Sequence, residues 1–307
     1  MAEVSTVSQS IYFLQLSARY VHITHPPVNT ISDPHFTTFN GKSFSFHGQC
    51  DLVVLASPKF ALGLGLDVHI RTTRVDSFSH SYSYISGVAI RIGEDVLEVT
   101  EDGEIVVNGA DFMDDDLFAV FAGYSITKSL KGSKKNIVVY DLSLSNANTS
   151  ESIQIRCNSR SGMIFLDVFL DDTFYETRGL LGTGTPGIDT GILSRDGQRN
   201  LDGYWNTFGE EWQVTVDEPK LFQENRAPQH PRGCIYESQS KNSGRNKDNL
   251  RRRLMTMGSN EEAYAAITLE KATMACNASV GKKKDFCIGD IMATGSLELA
   301  EDPFYLS

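Results

Sequence analysis

Cysteine is sparse in this 307-residue chain. The five that occur, Cys50, Cys157, Cys234, Cys276 and Cys287, form no Cys-x-x-Cys pair and no His/Cys cluster at zinc spacing. That argues against zinc knuckles and thioredoxin-like dithiol chemistry. Positive charge is also short: 28 Lys and Arg against 39 Asp and Glu give a formal charge of −11. An anionic surface repels phosphate backbones, so no nucleic-acid partner is expected. Long apolar runs are missing, and the longest, such as 52–56, are far too short for a membrane span. Catalytic signatures are missing as well. There is no Gly-x-Ser-x-Gly elbow and no paired carboxylates stand out, and Gly179-Leu180-Leu181-Gly182-Thr183-Gly184 opens no helix and has no Lys where a phosphate loop needs one. A non-enzymatic protein is expected.

What is present is ordinary globular composition, 40% hydrophobic and 22% charged, which argues against a largely disordered chain. From Phe44 to Gly179 the chain reads as strand after strand. Leu64, Leu66, Val68 and Ile70 alternate with Gly65, Asp67, His69 and Arg71, the period-two pattern of a strand with one apolar and one polar face. Residues 96–99 and 104–107 flank Asp102-Gly103, which accepts the positive φ of a hairpin turn. Further strands are expected at 118–121, 124–127, 137–144, 153–156, 163–170 and 173–177. With about ten short strands and no helical period between them, a crossover-built parallel sheet is excluded and an antiparallel sandwich fits best.

Past Gly179 the chain becomes Gly-rich loop, then a Pro-containing stretch, then a basic run at 241–253 that reads as a solvated linker. Helical signals come last. Ser259 with Glu262 makes a capping box, and Ala263, Ala266, Ile267 and Met274 recur at helical spacing, with a second short helix expected from about Asp285 to Ala293. Cys276 and Cys287 stand at the facing ends of these helices; if bridged, their small loop would contribute about 3 kcal/mol by chain entropy. Two sequons, at Asn148 and Asn277, would accept glycans in a secretory pathway. The N-terminal patch Ile11-Tyr12-Phe13-Leu14 follows Glu3 and no Lys or Arg, unlike a signal peptide.

One dipeptide is intrinsically reactive. In Asp33-Pro34 the carboxyl can attack its own carbonyl carbon to form an anhydride, with the proline nitrogen leaving and His35 relaying the proton. The residues around it carry a resemblance. Ser32-Asp33-Pro34-His35-Phe36-Thr37-Thr38-Phe39-Asn40-Gly41, followed by Phe44 through Leu55 with Gly48-Gln49-Cys50, resembles the opening of a von Willebrand factor type D domain. Gly179-Leu180-Leu181-Gly182 is similar to that family's G-L-C-G, and Phe208-Gly209-x-x-Trp212-x-Val214 to its F-G-x-S-W-x-V.

The resemblance implies a disulfide-stapled β-sandwich followed by a small disulfide-linked helical segment. It divides the chain into an N-terminal extension (1–31), a type D domain (32–235), a basic linker (236–258) and a helical cysteine-containing segment (259–307). It pairs Cys50 with Cys234, which closes a long loop worth about 5 kcal/mol in the chain-entropy model, and leaves Cys157 as a buried thiol or an intermolecular partner. It implies structural calcium, with Asn40, Asp189 and Asp196 as ligands near Thr183 and Thr185; Asn40 replaces the family's Asp, and fewer charges mean weaker binding. It implies an extracellular, secreted module of adhesion or matrix assembly, whose partners are other extracellular proteins or matrix glycans, with self-association also open. Two alternatives stand beside that reading. One is a precursor that cleaves itself at Asp33-Pro34, although Ser32 replaces the glycine of the family motif. The other is a carbohydrate- or lipid-binding module using Tyr82, Tyr84 and Trp205.

Overall fold

In the computed structural model the described residues are 19–24, 34–39, 42–46, 48–76, 81–112, 118–131, 137–144, 151–158, 162–170, 176–182, 192–224, 234, 268–281, 284–285, 287–288, 291 and 297–301. Fourteen strands occur among them: β1 Arg19–Thr24, β2 His35–Thr37, β3 Ser43–Ser45, β4 Asp51–Ser57, β5 Leu66–Asp76, β6 Ser81–Ile92, β7 Asp95–Val99, β8 Ile105–Val107, β9 Ala110–Phe112, β10 Phe118–Phe121, β11 Tyr124–Lys131, β12 Ile137–Ser143, β13 Ser152–Asn158 and β14 Met163–Leu170. They make two antiparallel sheets. One has the order β10-β11-β12-β13-β14-β1-β2-β3, the other runs β4 to β9 in sequence. β1 lies before the type D resemblance begins, in the stretch read as an N-terminal extension, yet it sits in mid-sheet between β14 and β2.

The alternation of the strands decides where the core lies. Ile164, Leu166 and Val168 of β14 join Ile153 and Ile155 of β13 and Leu52, Val54, Val68 and Ile70 of the other sheet in one buried cluster. The intervening residues Met163 and Phe165 point the other way. They share a second cluster with Tyr84 and with Ala272, Cys276, Cys287, Ile291 and Ala300 of the helical segment. Under the same segment lies an ion pair: Arg156 Nη2 donates to Asp167 Oδ2 at 2.8 Å, and the guanidinium stands 5.3 Å from the Phe165 ring. The helical segment is therefore docked on the sheet. Its helix Leu269–Ala275 begins at Thr268, whose side chain accepts from Lys271 N. The capping box at Ser259 and Glu262 lies outside the described residues.

The alternating strand expected from Leu64 differs in two respects. It starts at Leu66, because Ala61 and Leu62 adopt left-handed backbone and turn the chain first. Its polar face is also not solvated: His69 and Arg71 are buried. The segment from Trp212 to Glu224 lies over that face. Phe222 and Leu221 pack with Ala89, and Arg71 donates two bonds to Asp51 (2.7 and 2.8 Å) while its guanidinium sits 4.4 Å from the Phe222 ring. Arg91 pairs with Asp67 on the same face. Polar alternation thus marks a surface whose charges are neutralised in pairs and then covered.

His69 differs from these paired charges: its Nδ1, like Arg91 Nε, is buried without a hydrogen-bond partner among the described residues. Burial lowers its pKa to about 4, against the upward pull of Asp67, Glu218 and Asp51. Protons therefore favour the unfolded chain between about pH 6.5 and pH 4. The contribution is whole above pH 6.5 and fades as pH falls through that window, by about 3 kcal/mol in all. Denaturant titrations at pH 7 and pH 4.5 should show most of this loss, and His69→Gln should flatten it; an equal loss of unfolding free energy in both proteins would contradict the assignment.

Candidate functional site

β4 is the last strand of its sheet, so one row of its N–H and C=O groups has no strand to pair with. Two distant segments take up that row. Val53 N donates to Trp212 O (2.8 Å) and Val214 N to Asp51 O (2.9 Å) at one end. At the other, Ala56 and Arg178 exchange both bonds (2.7 and 2.9 Å). Leu180 N donates to Val53 O (3.1 Å) and Leu181 N to Val54 O (3.2 Å). The register of β4 against β5 shifts between Val53 and Leu55, so Val54 is the extra residue of a bulge and turns its carbonyl toward Leu181.

This explains the residues at the turn. Gly179 has φ +139°, and a Cβ there would lie 2.2 Å from Val54 O. The same fit recurs at Gly209, where a Cβ would fall 2.0 Å from the Phe46 ring. Around Gly209 the chain forms a helix, Trp205–Glu211, in a stretch where no helix was expected. Its Trp205 stacks on Phe44 (5.1 Å), which stacks on Phe36 (5.0 Å), and Phe208 meets Phe44 edge-on (5.3 Å). Lys42 pairs with Asp202 beside this stack, and Phe39 N donates to Leu181 O at 3.0 Å.

Covalent closure follows the same line: Cys50, one residue before β4, is joined to Cys234. Arg195 fastens the approach. Its guanidinium donates to Glu211 O (2.7 Å) and Gln213 O (2.9 Å), pairs with Glu218, and lies 5.0 Å from the Trp212 ring. The pair holds the Glu218 carboxyl below its usual range, together with the hydrogen bond from Thr215 and against the opposing effect of burial, which is the largest influence. Sequence reasoning read His69 and Arg71 as the polar face of an alternating strand, with His69 a structural imidazole, and passed over Arg195. Alternation made the first two look solvent-facing, and Arg195 stands in a loop stretch with no periodic signal.

The other candidate residues are not gathered into one place. Asp33 lies outside the described residues; Pro34 is buried, its carbonyl accepts from Phe46 N at 3.3 Å, and His35 begins β2. Asn40, Asp189, Thr183 and Thr185 also lie outside them, as do Asn148 and the basic run at 241–253. Asp196 is exposed in a turn, where its carboxylate accepts from Ser194 Oγ and from Gln198 N (3.0 Å), interactions that lower its pKa. No group of three His, Cys, Asp or Glu suited to a metal ion occurs among the described residues. Tyr84 is buried against the helical segment, and one face of the half-buried Trp205 ring is taken up by Phe44.

The two blocks of signature residues thus build one seam. A model of the von Willebrand factor type D domain matches residues 29–185, about half of the chain. The chain belongs to the von Willebrand factor type D family. A search of the curated proteins found no match. The seam reaches beyond the matched residues, because Trp212, Val214 and Cys234 close on β4 from outside them.

Within the type D seam, Leu181 stands where the family carries a cysteine and is fully buried in the core. Cys157 is buried too, with its Sγ 3.7 Å from Glu101 O. Burial, aided by Glu101, pushes its thiol up to about 12. Cys276 is joined to Cys287. At pH 8 the native protein should therefore give no fast reaction with a thiol reagent, and one equivalent after unfolding; a fast equivalent in the native state would place Cys157 at the surface. Gly179→Ala should cost more than about 2 kcal/mol, since strain and a backbone clash combine. Gly123→Ala, at φ +86° in open space, should cost about 1 kcal/mol. Thermal melts compare them, and similar losses would deny the seam its tight approach.

Proposed function

We propose that this type D chain works as an extracellular, non-enzymatic interaction module of the adhesive or structural kind, meeting other extracellular proteins or matrix glycans through non-covalent contacts. One observation carries the reading: every cysteine is committed within the chain. Four are paired as Cys50–Cys234 and Cys276–Cys287, and Cys157 is buried. Disulfides persist in oxidising surroundings, which supports an extracellular setting. Multimers linked between chains by sulfur would need an exposed thiol, and none of the five is exposed.

The signature residues support the same reading through what they do. Phe36, Phe44, Phe208, Trp212 and Gly179 serve packing and edge closure, and they hold a rigid body on which loops can present contacts. No helix among the described residues is long and apolar enough to cross a membrane.

The test uses protein isolated from its natural source under thiol-blocking conditions. Peptide mapping should recover Cys50 linked to Cys234 and Cys276 linked to Cys287. Electrophoresis without reductant should show a single monomer band, with any self-association visible only by light scattering of the native protein. Five free thiols would overturn the extracellular reading, and a reductant-sensitive ladder would overturn the non-covalent one.

A further inference from the structure

The sequon Asn277-Ala278-Ser279 lies against the Cys276–Cys287 bridge, and its two working residues have opposite surroundings. Asn277 is exposed on the short helical turn Cys276–Ala278. Ser279 is only 3% exposed, and its Oγ is buried with no hydrogen-bond partner among the described residues. A buried hydroxyl without a partner gives up its bond to water and gains nothing in return, so the fold has no use for this group. The sequon does: glycan transfer requires Ser or Thr at that position. In the closed structure the hydroxyl is out of reach, because Ser279 is itself buried and its amide donates to the carbonyl of the bridged Cys276 at 3.1 Å.

We propose that Asn277 is an N-glycan acceptor whose occupancy is set by a race between glycan transfer and closure of the Cys276–Cys287 loop. In transfer, Asn277 Nδ2 forms a bond to the anomeric carbon of a lipid-linked oligosaccharide. The bond from that carbon to the lipid pyrophosphate breaks, the pyrophosphate leaves with the electron pair, and the amide proton passes to a carboxylate of the transferase. In closure, the two thiols lose two protons and two electrons to the disulfide of an oxidoreductase, which becomes a dithiol. Whichever step comes first on a given chain decides its state, since closure withdraws Ser279. The inference rests on the extracellular reading above.

The full chain, expressed behind a secretory leader in animal cells, tests it by peptide mass at Asn277 after enzymatic deglycosylation in heavy-oxygen water. Wild type should be partly occupied, and Cys287→Ser should raise occupancy at least twofold. Should that variant be retained, brief dithiothreitol treatment of cells making the wild type should produce the same rise. Ser279→Ala should abolish the glycan and leave the melting temperature unchanged or higher. Equal occupancy with and without the bridge would overturn the race, and a large drop in melting temperature for Ser279→Ala would make the hydroxyl structural. A secreted chain with Cys50–Cys234 formed and Asn277 bare in every variant would overturn the inference while sparing the extracellular reading. Retention with free thiols would remove both.

Discussion

A sheet edge cannot be left open inside a protein, and the free edge of β4 is the constraint from which the rest follows. Strand β4 is almost wholly buried, from Leu52 to Ser57, so its outward carbonyls and amides have no water to turn to. They need backbone partners. The chain supplies these from segments more than a hundred residues away, 178–181 and 212–214. Closing loops of that length is entropically costly, which is why the seam needs help from several kinds of interaction at once. Hydrogen bonds satisfy the edge, the stack of Phe36, Phe44 and Trp205 supplies apolar burial, and the Cys50–Cys234 bond removes conformations from the unfolded chain rather than adding contacts to the folded one.

The covering segment 212–224 shows how charge is managed once that seam is made. Burying Asp51 or Arg71 alone would be severely destabilising, but the bidentate pair, with Phe222 against the guanidinium, leaves little charge to desolvate. The same arrangement recurs at Arg156, Asp167 and Phe165 beneath the helical segment. Each covering element therefore meets the sheet at a paired arginine with an aromatic ring against its guanidinium. His69, enclosed by the same layer with no partner for Nδ1 among the described residues, remains neutral because the nearby carboxylates only partly offset the cost of charging it.

The antiparallel sheets were legible in the sequence because alternation and turn dipeptides are local signals. The hairpin through Asp102-Gly103, for example, pairs Val99 with Ile105 as its turn chemistry requires. The Cys50–Cys234 pairing came only through the family resemblance, since nothing local connects Cys50 with a residue 184 positions away. Three features were hidden for the same reason. The covering of β5 depends on where residues 212–224 travel, the helix at Trp205 is set by packing on Phe44 and Phe46, and the place of β1 between β14 and β2 depends on strand pairing at long range. Periodicity reports the two faces of a strand; it does not report what lies above them.

The use of cysteine follows from the same geometry. Leu181 occupies a buried position at which the family has a sulfur, and its backbone still makes both seam contacts, accepting from Phe39 and donating to Val54. The seam therefore depends on the backbone path there rather than on a crosslink, and a leucine of suitable volume serves the core at that point. Cys157 is likewise used as an apolar side chain, facing Gly103 and Glu101 O at the end of the β13 ladder. With one sulfur replaced by a hydrocarbon and another enclosed by the core, the disulfide chemistry of the molecule is confined to two internal bonds, one closing the seam and one within the helical segment.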